Sequence, residues 1–222
     1  MVEEVRQFPL KELFERRDHP IPVEPAQQLR ELLRFFGVAS VNALFETCLS
    51  GARLRTANAF APNEAALACW LRLAELNAQS IQVEPFDADK CVMAIQDFRH
   101  ISTIEGTAWW SALEERCASV GIALVLEKEL PKCRVNGATK WLSPTKAMIA
   151  LSLRHRRHDT AWFTFFHELG HLLRHNRKEL YIDGTGSESP QISNSTPTGL
   201  PVVHSFPRST RPRLAKSRHR RR

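Results

Sequence analysis

Asp159-Thr160-Ala161-Trp162-Phe163-Thr164-Phe165-Phe166-His167-Glu168-Leu169-Gly170-His171-Leu172-Leu173-Arg174-His175 is the stretch from which the rest of the chain is read. Asp159 suits an N-cap. Trp162, Phe163, Phe165, Phe166, Leu169 and Leu172 make the helix that follows apolar nearly all round, so it is expected to be buried. Inside it lies His167-Glu168-Leu169-Gly170-His171, an H-E-x-x-H sequence. Four residues apart on a helix, His167 and His171 share a face with Cβ atoms roughly 5–6 Å apart. Both imidazoles can then reach one ion at the roughly 2.0–2.1 Å of a zinc–nitrogen bond. Glu168, next to His167, is placed to take a proton from a metal-activated water and relay it to the leaving amine in amide hydrolysis. The competing reading is a structural histidine pair. Against it, two histidines and a glutamate in an aromatic helix cost several kcal/mol to bury without partners. Gly170 costs about 1 kcal/mol against Ala in a helix interior, which suggests that something packs close there. The pattern therefore points to a Zn2+ site with His167 and His171 as metal ligands and Glu168 as the catalytic base.

Working outward, the preceding residues read as a small sheet. Ile122–Leu126 and 147–153 are apolar runs bounded by Gly121, Asn136-Gly137 and Ser143-Pro144, and Gly137–Leu142 supplies a strand between them. The later connections are too short for a helical crossover, so the pairing is expected to be antiparallel. Before residue 120 the periodicity is helical. Leu10, Leu13 and Phe14 mark one helix, and Leu29, Leu32, Leu33 and Phe36 a second that stops at Gly37. Others are expected over 41–49, 63–78, 87–100 and 107–120. Trp109 and Trp110 read as core.

The composition is that of a soluble globular chain: 222 residues, 43% hydrophobic and 25% charged. The net charge of +7 is confined to one end. All 24 acidic residues lie at or before Glu188, and eight of the 31 Lys and Arg lie after it, leaving residues 1–188 at −1. The body thus gives no electrostatic sign of a DNA-binding face, and no direct DNA binding is expected. Arg154-His155-Arg156-Arg157-His158 reads as a solvated loop, and His19, His100, His155, His158, His204 and His219, which have no ligand spacing, as solvated histidines. No apolar run is long enough for a membrane span and the N-terminus lacks a secretory pattern, so a cytoplasmic location with no membrane contact is expected. Five cysteines without a C-x-x-C pair read as small buried residues.

Trp162–His175 resembles the zinc helix of the ImmA/IrrE-type metallo-endopeptidases. The resemblance extends to Gly137-Ala138-Thr139-Lys140-Trp141-Leu142-Ser143-Pro144, Ala150-Leu151-Ser152-Leu153-Arg154 and Tyr181-Ile182-Asp183-Gly184. More loosely, Phe35-Phe36-Gly37-Val38 and the helices to Val120 resemble the middle of the long HigA-like antitoxin regulators. Together these cover roughly residues 8–191. With the periodicity above, the resemblance implies an α+β fold: a linker with a short helix (1–22), a helical region (23–106) and a zincin-like peptidase domain of small sheet plus H-E-x-x-H helix (107–190); the basic tail that follows (191–222), rich in Ser, Pro, Thr and Arg, is expected from its composition to be disordered. It implies a zinc-dependent endopeptidase acting on a repressor- or antitoxin-related protein. The rival is a HigA-like remnant that serves as a protein-interaction module. By analogy with zincins, Thr139–Leu142 would be the edge strand against which a peptide substrate pairs.

Two departures from the family pattern stand out. The long members begin with a helix-turn-helix domain, which this chain starts too late to hold. They also carry, after the zinc helix, a helix of the form E-x-E-A-[DN]-x-F-A that supplies the third ligand and is followed by L-I-P; no such string follows Asp183. Codons for Ile192–Pro207 can be chosen so that a neighbouring frame spells K-Q-L-D-A-D-R-F-A-S-R-P-L-I-P, so a frameshift near Gln191 is the expected origin of the tail. The residues left to complete the coordination are Glu188, Asp183 and His175.

Overall fold

The computed structural model describes residues 5–49, 52–55, 63–152, 158–174 and 180–184, with the backbone alone at 52–55 and 183–184. Capping residues set most of the helix starts. α1 (Leu10–Arg16) follows Pro9. α2 (Pro25–Phe36) opens on a proline, whose missing N–H has no partner to lose in a first turn, and closes on Gly37 at φ 71°. Ser40 accepts from the Ala43 N–H to cap α3 (Val41–Cys48). After β1 (Ala52–Arg55), Asn63 accepts from the Ala66 N–H to cap α4 (Glu64–Ser80). Asp87 caps α5 (Ala88–Met93), and α6 (Ile95–Ile101) follows directly. The continuous helix expected over 87–100 is thus two short ones that meet at Ala94.

α7 (Ala108–Ala118) leads into β2 (Ile122–Leu126), β3 (Val135–Ser143) and β4 (Lys146–Leu151); α8 (His158–Arg174) and β5 (Leu180–Gly184) complete the described chain. The sheet has five strands in the order β1-β5-β3-β4-β2. β3 is antiparallel to β4 and β5, whereas β2–β4 and β1–β5 are parallel. The expectation of antiparallel pairing therefore holds for the β3–β4 hairpin alone among the predicted strands. That tight hairpin, with Ser143 opposite Lys146, tucks β4 between β3 and β2, and so aligns β4 with β2. β1 falls in a region read as helical. Its four residues have no period of their own, and it exists because β5 offers it an edge.

Strand alternation sorts the core into two layers. Ile122, Leu124, Ala147, Ile149 and Leu151 face one side and pack with α5, α6, α7 and α8. Ala123, Val125, Met148 and Ala150 face the other side and pack with α1, α2, α3 and α4. Burial on both faces explains why β2 and β4 read as continuous apolar runs. Helices from before residue 107 thus share both layers with the strands that follow it. Two buried carboxylates tie these parts together. Glu127 accepts from Arg16 and Asn77, each at 2.7 Å, and its carbonyl accepts from the Trp70 indole at 2.9 Å. Glu75 accepts from Arg72 at 3.1 Å and from Lys140.

The chain is therefore a mixed α+β protein with helices on both faces of a mixed sheet. No helix among the described residues is long and apolar enough to cross a membrane. The segment read as a disordered tail, 191–222, lies outside the described residues.

Candidate metal centre

α8 starts at His158, so Asp159 sits in its first turn rather than at the N-cap, and the Asp159 carboxylate accepts from the Thr160 N–H at 2.8 Å. The helix is not buried all round. Because it forms an outer layer, Trp162, Phe165, Leu169 and Leu172 face the core, while Phe163 stays 41% exposed and His167, Gly170 and His171 are half-buried. Both histidines thus lie on the open side of the helix, where a ligand has access.

His167 and His171 converge. Their Nε2 atoms are 3.0 Å apart, with ring centroids at 4.6 Å and planes at 87°. Two nitrogens at tetrahedral zinc distance from one ion stand about 3.3 Å apart, so the observed spacing needs only a small opening to take a cation. As it stands, it is the length of an N–H···N bond between the two rings, with donor and acceptor set by the tautomers. Each ring is flanked by an aromatic. Phe163 lies 6.2 Å from His167 at 21°, and Tyr181 of β5 stacks on His171 at 4.3 Å and 13°.

Glu168 points into the seam between α8 and β3 and has no exposed surface. The Thr139 hydroxyl donates to its Oε2 at 2.7 Å, with the Glu168 carbonyl also in reach of that hydroxyl at 3.1 Å. Gly137 makes the seam possible: a Cβ there would stand 2.7 Å from Thr164 Cγ2 and 2.9 Å from Glu168 Oε1. The motif therefore straddles the rim of this seam, with Glu168 inside it and the two half-buried histidines beside it.

Of the residues considered for the third ligand, His175 and Glu188 lie outside the described residues. Asp183 is placed by its backbone as the register partner of Gly137. Among the described residues, no group of three or more His, Cys, Asp or Glu side chains is assembled to hold a metal. Thr139 and Tyr181 touch the motif but were not singled out as site residues. Tyr181 is the chain's sole tyrosine, yet only the β3–β5 pairing reveals what it meets.

Comparison of the chain with known proteins gave nothing: no family model, no curated protein and no solved structure matches it. The functional reading therefore rests on this geometry.

Three sequence expectations are corrected nearby. Thr139 pairs with Ile149 on one side and Tyr181 on the other, so the expected edge does not begin at Thr139. His158 is not solvated: its Nε2 accepts from the Trp162 indole at 2.9 Å and its ring meets Trp109 edge-on at 5.1 Å. Burial lowers its pKa, with Asp159 pulling the other way. Finally, among the described residues nothing packs against Gly170; a Cβ there would meet none of their atoms within 4 Å. Gly170→Ala should therefore stabilise the helix by about 0.5–1 kcal/mol through propensity, raising Tm by about 1–4 °C in thermal denaturation. An unchanged or lower Tm would mean that the position is constrained after all.

The cysteines are as read: all five are free and buried. Burial pushes the Cys91 thiol up to about 11 and the Cys133 thiol to about 12, which leaves both protonated and inert.

Proposed function

We propose that the chain is a zinc-dependent metallo-endopeptidase of the ImmA/IrrE type, with a zincin-like arrangement of sheet and H-E-x-x-H helix, that hydrolyses peptide bonds in a repressor- or antitoxin-type protein. The observation that carries this reading is the 3.0 Å convergence of the His167 and His171 Nε2 atoms on the open side of α8. Those two residues would hold the ion, and bound zinc would supply Lewis-acid activation of water and of the scissile carbonyl. Glu168 would be the proton carrier, turning its carboxylate out of the β3 seam to take a proton from the attacking water and return it to the departing amine. The Thr139 hydroxyl holds that carboxylate at rest. The half-exposed Phe163 flanks the approach to His167. Five free thiols fit the reducing cytoplasmic setting that such a substrate implies.

A second reading is favoured by one specific observation, the complete burial of the Glu168 carboxylate. A carboxylate closed into a helix–sheet seam can be a structural anchor, and the chain would then be a HigA-like interaction module without catalysis. Glu168→Gln separates the two readings, since the amide oxygen can still accept from Thr139. With zinc supplied and an unfolded protein such as casein as substrate, the variant should keep its zinc and lose about 10²–10⁴-fold in hydrolysis. Equal rates in parent and variant, or a zinc-loaded parent that cleaves nothing, would select the interaction module.

A further inference from the structure

The two strands behind α8 each bring one side chain to the H-E-x-x-H turn, and the two belong to one rung of the sheet. Thr139 of β3 and Tyr181 of β5 are direct register partners. Residues so opposed in an antiparallel pair point to the same face, with Cβ atoms about 4.5–5.5 Å apart. Here that face carries α8. Thr139 donates to the Glu168 carboxylate, and the Tyr181 ring lies parallel to the His171 imidazole at 4.3 Å and 13°. Glu168 and His171 are three residues apart, so one rung spans one helical turn.

We propose that the Thr139–Tyr181 rung is the positioning element of the candidate site. Tyr181 fixes the plane of the His171 imidazole so that its Nε2 meets that of His167, while Thr139 fixes Glu168. The proposal rests on the metal-centre reading for its consequence, though not for its geometry. The torsion that turns an imidazole about its Cβ–Cγ bond is broad, so a histidine on an open helix face samples many planes. Tyr181 is 7% exposed and cannot move aside, and its ring lies flat against the His171 imidazole, which hinders rotation. The flank of His167 is looser, because Phe163 is farther away and 41% exposed. One ring is thus clamped and the other adjusts. The contact seen with His171 is made by the aromatic face, so phenylalanine should replace tyrosine and an aliphatic residue should not.

The test uses the full chain as Tyr181→Phe and Tyr181→Leu. Zn2+ affinity is read by competition with a chromophoric chelator, and imidazole proton shifts by NMR of the metal-free protein. Expected are an affinity within twofold of the parent for Tyr181→Phe and a loss of about tenfold for Tyr181→Leu, the scale typical of supports behind metal ligands. The His171 ring protons should be shifted upfield by the tyrosine ring current in the parent and return in Tyr181→Leu. Parental zinc affinity in Tyr181→Leu overturns the proposal, as does an unshifted His171 in the parent, a measurement that needs no variant. A parent that takes up no zinc overturns the metallopeptidase reading instead. The rung is then judged on the His171 shift alone, which supports it if present in the parent and lost in Tyr181→Leu, and overturns it otherwise.

Discussion

A His167→Ala chain is expected to lose its zinc. Among the described residues the ion would rest on two imidazoles, so removing one takes away half of the nitrogen donors, and the His171 ring left behind holds a divalent ion weakly. The effect reads out in two ways. By atomic absorption after gel filtration, the parent should carry close to one zinc per chain and the variant a small fraction of that. In thermal denaturation, a ligand at a hundredfold excess over its dissociation constant stabilises the native state by about 2.7 kcal/mol, or roughly 5–10 °C in Tm for a chain of this size. The parent should show that shift on adding zinc and the variant should show none. His167 is half-buried and leaves the core layer intact, so the metal-free Tm should change little, and a loss of zinc response cannot be blamed on unfolding. Equal zinc in both proteins would remove the pair from any metal site and the peptidase reading with it.

The second large effect is structural. Gly121, between α7 and β2, adopts φ +87°, and a Cβ there would stand 2.2 Å from Phe86 Cα and 2.4 Å from Phe86 N. Both atoms are backbone and neither can swing away. The segment around Phe86 is pinned by Phe86 N–H to the Thr145 carbonyl at 2.8 Å and Glu84 N–H to the Ala118 carbonyl at 3.0 Å. The Gly121 carbonyl accepts from the Ala147 N–H at 3.1 Å, which closes the end of the β2–β4 pair. Gly121→Ala therefore combines a strained left-handed residue with a forced backbone shift, each costing about 1–3 kcal/mol. The expected fall in Tm is about 10 °C, from a few kcal/mol at roughly 2–4 °C each. A fall of only 1–2 °C would mean that the segment around Phe86 yields easily. Set beside the expected rise for Gly170→Ala, this shows that the effect of a glycine depends on its surroundings rather than on its residue type.

Much of the helical architecture was legible because its signals are local. Gly37 stops α2, and Ser40, Asn63 and Asp87 cap the helices after them, through bonds made within a few residues. β2 matched its apolar run to the residue. What escaped was non-local. β1 has only four residues and no pattern, and it is a strand because β5, more than 120 positions later, pairs with it. The parallel pairing of β2 with β4 follows from where a hairpin is inserted, which no window of sequence reports.

By itself, the sequence determined that a helix would carry two imidazoles one turn apart beside a carboxylate, because helical spacing follows from backbone geometry alone. It could not determine which way each side chain of that turn would face. The tertiary structure decided that by setting α8 on the outside of the sheet over Gly137 and Thr139. Glu168 was thereby enclosed against β3, while His167 and His171 were left open beside Phe163 and Tyr181. The physical reason is that a helix has many faces and its sequence fills them all, but only packing against a partner chooses which face is buried.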